Sequence, residues 1–407
     1  MPLNLTNFAP ILKTLFTPSK VENLVYKGNP FLASLPKKTD FYGSDRKVPM
    51  IYGNPQGRSA SFTTAQGNKG NTASIAFLVT RNKDYQLLSI DGETLKASAN
   101  DAGAFLAARK TEIENGFKNI TSALSVDVFG NGSGVRGQIL AGSAINTSTL
   151  TLSDRSDIVK FEVGMQLQVS SANGGGAVRT GTMFVVSVNR SVGSFVVAAT
   201  AGGAPAAADT LIAAIAASDF ILAAGDYDAK LKGLQAWLVY GGVSSTTFFG
   251  VNRTTDSERL AGVWSDLSAL PIEEALIEAG TQMQVVGSMV DRVWMNPVKM
   301  ADLVKSLGAK VQYVDMKIGE IGFRGVQLQL NDSVVEVFSD RNCPKERMFF
   351  LQTDSWLLHS LGEAPGILNL DTLEALREAT SDGIEIRIGH YSQLVCTAPG
   401  YNGVFKI

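Results

Sequence analysis

Catalysis needs side chains that carry protons, bind metals or attack electrophiles, and this 407-residue sequence holds few in useful positions. Its only histidines are His359 and His390, and its only cysteines are Cys343 and Cys396. A metal centre of ordinary type wants three or four His, Cys or carboxylate ligands at short spacing. His390 and Cys396 fall on one face of a strand-like run, but six residues of strand separate them by roughly 20 Å, too far to share an ion. No G-x-S-x-G elbow is present to expose a nucleophilic serine. Both histidines are therefore read as structural.

The string Gly132-Ser133-Gly134-Val135-Arg136-Gly137 matches G-x-G-x-x-G. A dinucleotide site needs that string after a strand and at the start of a helix, so that phosphate meets the helix N-terminus. Here it follows a helical pattern and precedes strand-like sequence, so it reads as a turn. No G-x-x-x-x-G-K-[ST] phosphate loop occurs. Glu273 and Glu274 are adjacent on a helix, point in different directions and read as a solvated first turn, not an acid/base pair. Lys37-Lys38 is the main basic doublet, with no aromatic interleaving for base stacking. No catalytic, cofactor-binding or metal-ligating residue is assigned, and no cofactor is expected.

Composition bounds what remains. The chain is 45% hydrophobic and 18% charged, with 40 glycines and a net charge of −2. That predicts a folded chain rich in strands and turns, long enough for two or three domains. The near-neutral balance argues against a dedicated nucleic-acid reader but not against a container of nucleic acid. Two cysteines cannot build a disulfide framework and suit a reducing cytoplasm. The start of the chain lacks the charged-then-apolar pattern of a signal peptide, and no window is long and apolar enough to span a membrane, so no membrane partner is expected.

The elements that must position any site follow from periodicity. Residues 1–40 alternate apolar clusters with Pro2, Pro10, Pro18, Pro30 and Pro36 and read as an extended arm docked on another surface. Arg58–Thr64 and Thr72–Thr80 read as two strands of a projecting hairpin, joined by the Gly/Asn-rich tip 65–71. Leu95, Ala99, Ala102, Leu106, Ile113, Phe117, Ile120, Leu124 and Val128 recur at helical spacing. They predict a helix of roughly 50 Å from about Glu93 to Val128, with Asp91 as N-cap and Gly130 as stop. Residues 137–225 form a charge-poor island of short alternating runs at 149–152, 165–169, 182–188 and 194–198, with a turn at Asn173-Gly174. The island predicts a small antiparallel β-domain inserted into the main fold, its ends near Gly137 and Asp226 close together.

Mixed α/β sequence resumes after Asp226. It predicts a helix over Pro271–Val286 with Pro271 at its first position. A strand at Arg292–Met295 leads into a helix capped by Asn296 and stopped by Gly308. Further strands are expected at Val326–Leu330, Val334–Phe338, Met348–Leu351 and Ile384–Cys396. The fold class is α+β.

The order of these parts resembles the major capsid proteins of tailed bacteriophages, the Hong Kong phage-type capsid fold also used by herpesvirus capsids and encapsulin shells. The resemblance rests on the helix running into Asp127-Val128-Phe129-Gly130-Asn131-Gly132-Ser133-Gly134 and on Lys230-Leu231-Lys232-Gly233-Leu234. It extends through Arg253 to Gly262, Met295-Asn296-Pro297, Cys343-Pro344-Lys345, Leu361-Gly362-Glu363-Ala364-Pro365 and Ala398-Pro399-Gly400-Tyr401-Asn402-Gly403. It implies an N-terminal arm (1–40), an extended hairpin loop (41–92), and a peripheral domain with a spine helix (93–136). After the inserted β-domain (137–225), it implies more peripheral domain (226–267), an axial domain (268–380) and a peripheral C-terminal strand (381–407).

The function the resemblance implies is non-enzymatic. The chain would self-assemble through pentamers and hexamers into an icosahedral or prolate virion shell around double-stranded DNA, in the host bacterial cytoplasm. The DNA would be bound without sequence preference. Implied partners are other copies of the chain, a separate scaffolding protein, a portal and a decoration protein. Some family members join a loop lysine to a neighbour's asparagine, which points to Lys69 and Asn402 as the pair to inspect. Two other readings stay open: an encapsulin-like compartment, and a carbohydrate-binding module on a phage surface protein. The island's lack of Trp and Tyr before Tyr227 disfavours the latter.

Overall fold

A computed structural model describes residues 28–93, 102–307, 313–318, 321–330, 333–369, 375–378 and 381–407. Most of the expected arm, the expected N-terminal turns of the long helix and the Gly308 stop lie outside the described residues.

Two features of the sequence build the first sheet. Gly383–Cys396 is a 14-residue strand, and Asn82–Asp91 pairs antiparallel along it, from Gly383 opposite Asp91 to Ser392 opposite Asn82. Trp356–Ser360 pairs with the C-terminal part of the same strand, and Lys37–Lys38 adds in parallel beyond it. The long helix, described over Ala102–Asp127, lies on this sheet. Its Ile113, Phe117 and Ile120 meet Leu88, Ile90, Ile386 and Ile388, the stripe that the three-and-four spacing predicts. Gly116 sits where helix and sheet approach most closely. A Cβ there would stand 2.8 Å from Leu88 Cδ1 and 2.9 Å from Ile388 Cδ1, so the helix runs through this glycine because packing requires it.

A seven-stranded mixed sheet forms the second layer. Its order is Val263–Asp266, Gly403–Lys406, Arg347–Leu351, Arg292–Met295, Ser333–Ser339, Ile321–Leu330 and Tyr313–Ile318. The helices Ile272–Val285 and Pro297–Leu307 cover it through Ala275, Leu276, Ala279, Met283 and Leu303. Pro271 caps the first helix from outside, at ψ 148, so the helix starts one residue later than expected. Asn296 caps the second as predicted: its Oδ1 accepts from Val298 N at 3.0 Å, while its Nδ2 donates to Cys343 O at 2.8 Å.

Residues 135–223 supply every strand of a separate six-stranded antiparallel sheet. Its order is Val135–Gln138, Phe220–Ala223, Gln166–Ser170, Met183–Asn189, Ser194–Ala198 and Thr149–Thr151. Four of these strands, Thr149–Thr151, Gln166–Ser170, Met183–Asn189 and Ser194–Ala198, match the alternation read from the sequence. Its core is its own, centred on Phe161 stacked on Phe195 at 5.0 Å, with Leu167, Val169, Val185 and Ile221. The strands that enter and leave the unit pair with each other, Gly137 opposite Ile221, so the two ends meet.

One expectation is corrected. The partner of Ala73–Thr80 is Asp45–Gly53, not Arg58–Thr64. The reason is apolar register: Val48 and Met50 stand opposite Phe77 and Ile75, whereas 58–64 offers only Phe62. Residues 62–67 form a short helix instead.

Candidate functional site

The hairpin of Asp45–Gly53 and Ala73–Thr80 has two ends of opposite character. At its root, Val48, Phe77 and Val79 are buried in the main core. The Phe77 ring stands 5.3 Å from Trp237 and 6.2 Å from Phe248, and Leu78 N donates to Phe249 O at 2.9 Å. Arg259 donates to Tyr52 O on the outgoing strand. Polar contacts also hold the approach to the root. Asp40 bonds Arg46 at 3.1 Å and His359 at 2.6 Å, and Arg81 donates to Phe41 O at 2.6 Å. Burial lowers the His359 pKa although the Asp40 carboxylate pulls it up.

The distal half has nothing of its own chain to rest on. Between Asn54 and Thr72 no residue is buried, and Phe62 is 82% exposed. Ile51 and Tyr42 are also exposed. The two strands share a sheet only with each other among the described residues, so beyond the Leu78 N contact their edges are open to pairing. Arg46, Lys47, Arg58 and Lys69 face a single acid, Asp45, across residues 45–80, which makes the hairpin a basic one. A two-stranded ribbon is marginal in water, and an exposed edge is a template for another chain.

Both cysteines and both histidines are buried. Burial raises the Cys343 thiol well above its ordinary value and pushes Cys396 up to about 12, so neither is a nucleophile at neutral pH. His390 lies 2.9 Å from Ser392 Oγ, a serine–histidine pair in outline, but both are buried in the sheet where no substrate reaches them. Burial lowers the His390 pKa to about 4. No group of three metal-ligating side chains occurs among the described residues. None of their helices is long and apolar enough to cross a membrane.

The Gly132–Gly137 string does form a turn between helix and strand. Gly134, at φ +77, allows Asp226 O to pass so close that a Cβ would stand 2.5 Å away. Lys69 sits exposed near the hairpin tip. Asn402 is fully buried. Its Oδ1 accepts from Gln352 N at 2.9 Å and Trp356 Nε1 at 2.8 Å, and its Nδ2 donates to Ser355 Oγ and Ala398 O. The structure does not bring Lys69 and Asn402 together, and every bond of that amide is used within its own subunit.

Sequence reasoning missed a charged cluster at the neck of the 135–223 unit. Lys230 Nζ lies 2.8 Å from Asp84 Oδ2 and 3.2 Å from Asp226 Oδ1, and Arg136 Nη2 lies 3.8 Å from Asp226 Oδ2. Asp127, the last residue of the long helix, is buried beside them. These five residues are spread over 147 positions of sequence, from Asp84 to Lys230, and no local spacing signals the cluster.

No protein-family model matches the sequence, and no curated protein does. Solved structures are similar over nearly the whole chain. A chain of the cyanophage A-1(L) capsid is 12% identical, with 97% of this chain and 93% of that one covered and a TM-score of 0.49. A chain of the empty GTA particle capsid is 8% identical, covering 98% and 93%, with a TM-score of 0.47. The holo-SrpI encapsulin complex from Synechococcus elongatus PCC 7942 gives 7% identity, coverage of 100% and 96%, and a TM-score of 0.45.

Proposed function

We propose that this chain is the structural, non-enzymatic subunit of a closed viral shell of the tailed-phage major-capsid type, which self-assembles through pentamers and hexamers around double-stranded DNA. The observation that carries this reading is the hairpin. It is anchored at its root by Phe77 against Trp237, yet its distal half presents Phe62, Ile51 and open strand edges to solvent. Such a projection has no stabilising role in a monomer, and a neighbouring copy that covers it completes both subunits. Many modest contacts of this kind add around a closed shell.

In this reading residues 1–40 are the arm, the 135–223 sheet is the inserted domain, and the sheet built on Gly383–Cys396 and the seven-stranded sheet belong to the peripheral and axial domains. The walled-in His390 and Cys396 suit a protein whose work is to enclose. A net charge of −2 suits a container that meets DNA without reading it. A separate scaffolding protein, a portal and a decoration protein are the further partners proposed.

The test is to express the full chain alone and with a phage scaffold, then examine it by sedimentation and electron microscopy. Large closed particles are expected, and replacing residues 54–72 by a short turn should leave a folded chain that forms none. A persistent monomer under all conditions, or normal particles from the tip-deleted chain, sinks the proposal. Particles that hold protein cargo and no nuclease-protected DNA would make it a compartment of the encapsulin kind.

A further inference from the structure

Four Asn-Gly pairs occur in the sequence, at 115–116, 131–132, 173–174 and 402–403. Asparagine before glycine is prone to lose its side-chain amide, because the next backbone nitrogen is unhindered and attacks the side-chain carbonyl. The fold treats the four pairs differently. Asn115-Gly116 lies inside the long helix, where Gly116 packs on Leu88 and Ile388. Asn402 is fully buried, and both ends of its amide are bonded. Asn131 also uses both ends: Oδ1 accepts from Ser133 N at 3.0 Å, and Nδ2 donates to Asn173. Asn173 differs from all three. It is exposed, Gly174, Gly175 and Gly176 follow it, and its side-chain nitrogen donates to nothing among the described residues.

Its carbonyl, by contrast, is doubly engaged. Asn173 Oδ1 accepts from Ser133 Oγ at 2.6 Å and from Asn131 Nδ2 at 3.2 Å. Two donors on one carbonyl oxygen polarise the carbon and stabilise the negative charge that attack places on the oxygen. We propose that Asn173-Gly174 is a self-modifying site: it converts to aspartate and isoaspartate through a cyclic imide, and the conversion unfastens the 173–176 turn from the neck. Solvent hydroxide takes the Gly174 amide proton, Gly174 N bonds to Asn173 Cγ, and the Cγ–Nδ2 bond breaks. Nδ2 takes a proton from water and leaves as ammonia, which restores the hydroxide. Water then opens the imide. Cleavage at Cγ gives aspartate, and cleavage at the main-chain carbonyl gives isoaspartate, whose chain runs through Cγ. The net change is one water in and one ammonia out. Glycine is required at 174: its φ is +90, and a Cβ would stand 3.2 Å from Asp228 Oδ1 and 3.4 Å from Ser133 Cβ.

The turn is the point where the 135–223 unit grips its own neck. Besides the bonds at Asn173, Gly175 N donates to Asp228 Oδ2 at 3.0 Å and Gly176 N donates to Tyr227 Oη at 2.6 Å. Asn131 and Ser133 precede the first strand of the unit, and Tyr227 and Asp228 follow its last. The turn therefore bridges the entering and returning chain. Isoaspartate adds a methylene to the main chain just before Gly174, which shifts Gly175 N and Gly176 N off their acceptors. Either product also sets a carboxylate in the cluster that holds Asp228, a like charge beside the anchor of the turn. Ser133 and Asn131 keep an oxygen to donate to, so the loss falls on Gly175 and Gly176. The change is irreversible, and the fastening is lost with the age of the chain. The inference does not depend on what the full chain assembles into.

The test is to age the full-length folded chain at pH 7 to 9 and follow all four Asn-Gly pairs by peptide mass mapping that resolves isoaspartate from aspartate. Residue 173 is expected to convert about tenfold faster than 115, 131 and 402, at a rate that rises with pH. Ser133→Ala removes the shorter donor and is expected to slow residue 173 by about tenfold while leaving the other pairs unchanged. Asn131→Ala removes the second donor and supplies the same comparison if Ser133→Ala fails to fold. Hydrogen exchange then reads the consequence. Aged wild type is expected to lose protection at Gly175 and Gly176. Asn173→Gln, whose longer side chain closes a ring far more slowly, is expected to keep it after the same ageing. A residue 173 that stays an amide in the folded chain overturns the proposal. So does an undiminished rate when the donors are removed, or full protection of Gly175 and Gly176 in chain already converted.

Discussion

Trp356 Nε1 donates to Asn402 Oδ1 at 2.8 Å, and through this bond the first sheet is tied to the segment that enters the second. The same amide satisfies Gln352 N, Ser355 Oγ and Ala398 O. Replacing Asn402 with Ala strands several buried polar groups at once, which costs about 2–4 kcal/mol of stability. Urea denaturation of the soluble chain checks this. Since no part of that amide faces outward, particles heated in detergent should yield monomers only, and a covalent ladder that disappears in Asn402→Ala would contradict it.

The two ends of the hairpin should respond oppositely to substitution. Phe77→Ala empties a fully buried aromatic site at the root and is expected to cost about 3–5 kcal/mol. Phe62→Ser at the tip removes an exposed ring and should change stability by no more than about 0.5 kcal/mol, yet it should lower particle yield. Equal effects on stability would show that the tip packs on its own chain.

Gly116→Val places a branched side chain against Leu88 and Ile388, where even a Cβ is too close. Overpacking of this kind costs about 1–3 kcal/mol. The gain in helix propensity from replacing glycine, below about 1 kcal/mol, does not offset it. A lower melting temperature is expected, and an unchanged one would mean that helix and sheet separate more freely than their packing shows.

His390 sets an acid limit. Its folded pKa is about 4 and its ordinary value 6.5, so the unfolded chain binds the proton first. The stability held above pH 6.5 is therefore lost as pH falls from 6.5 towards 4, by about 3 kcal/mol at most. His390→Gln, compared with wild type in denaturant titrations at pH 7.5 and 4.5, should remove that share of the acid loss.

Much of this protein was determined by local sequence. The stripe Ile113, Phe117, Ile120 and Leu124 could only be a helix with one buried face, and the alternation across 149–198 could only be strands with their own core, because periodicity depends on neighbours a few residues away. The Asn296-Pro297 helix start is equally local. What tertiary structure decided is pairing and charge. Asp45–Gly53 displaced Arg58–Thr64 as the hairpin strand because Val48 and Met50 had Phe77 and Ile75 to meet, a matter of register that no single strand shows. The neck cluster draws Asp84, Arg136 and the Asp226–Lys230 return together from distant parts of the sequence. Burial and long-range charge are properties of the assembled chain, and they were not legible before it was folded.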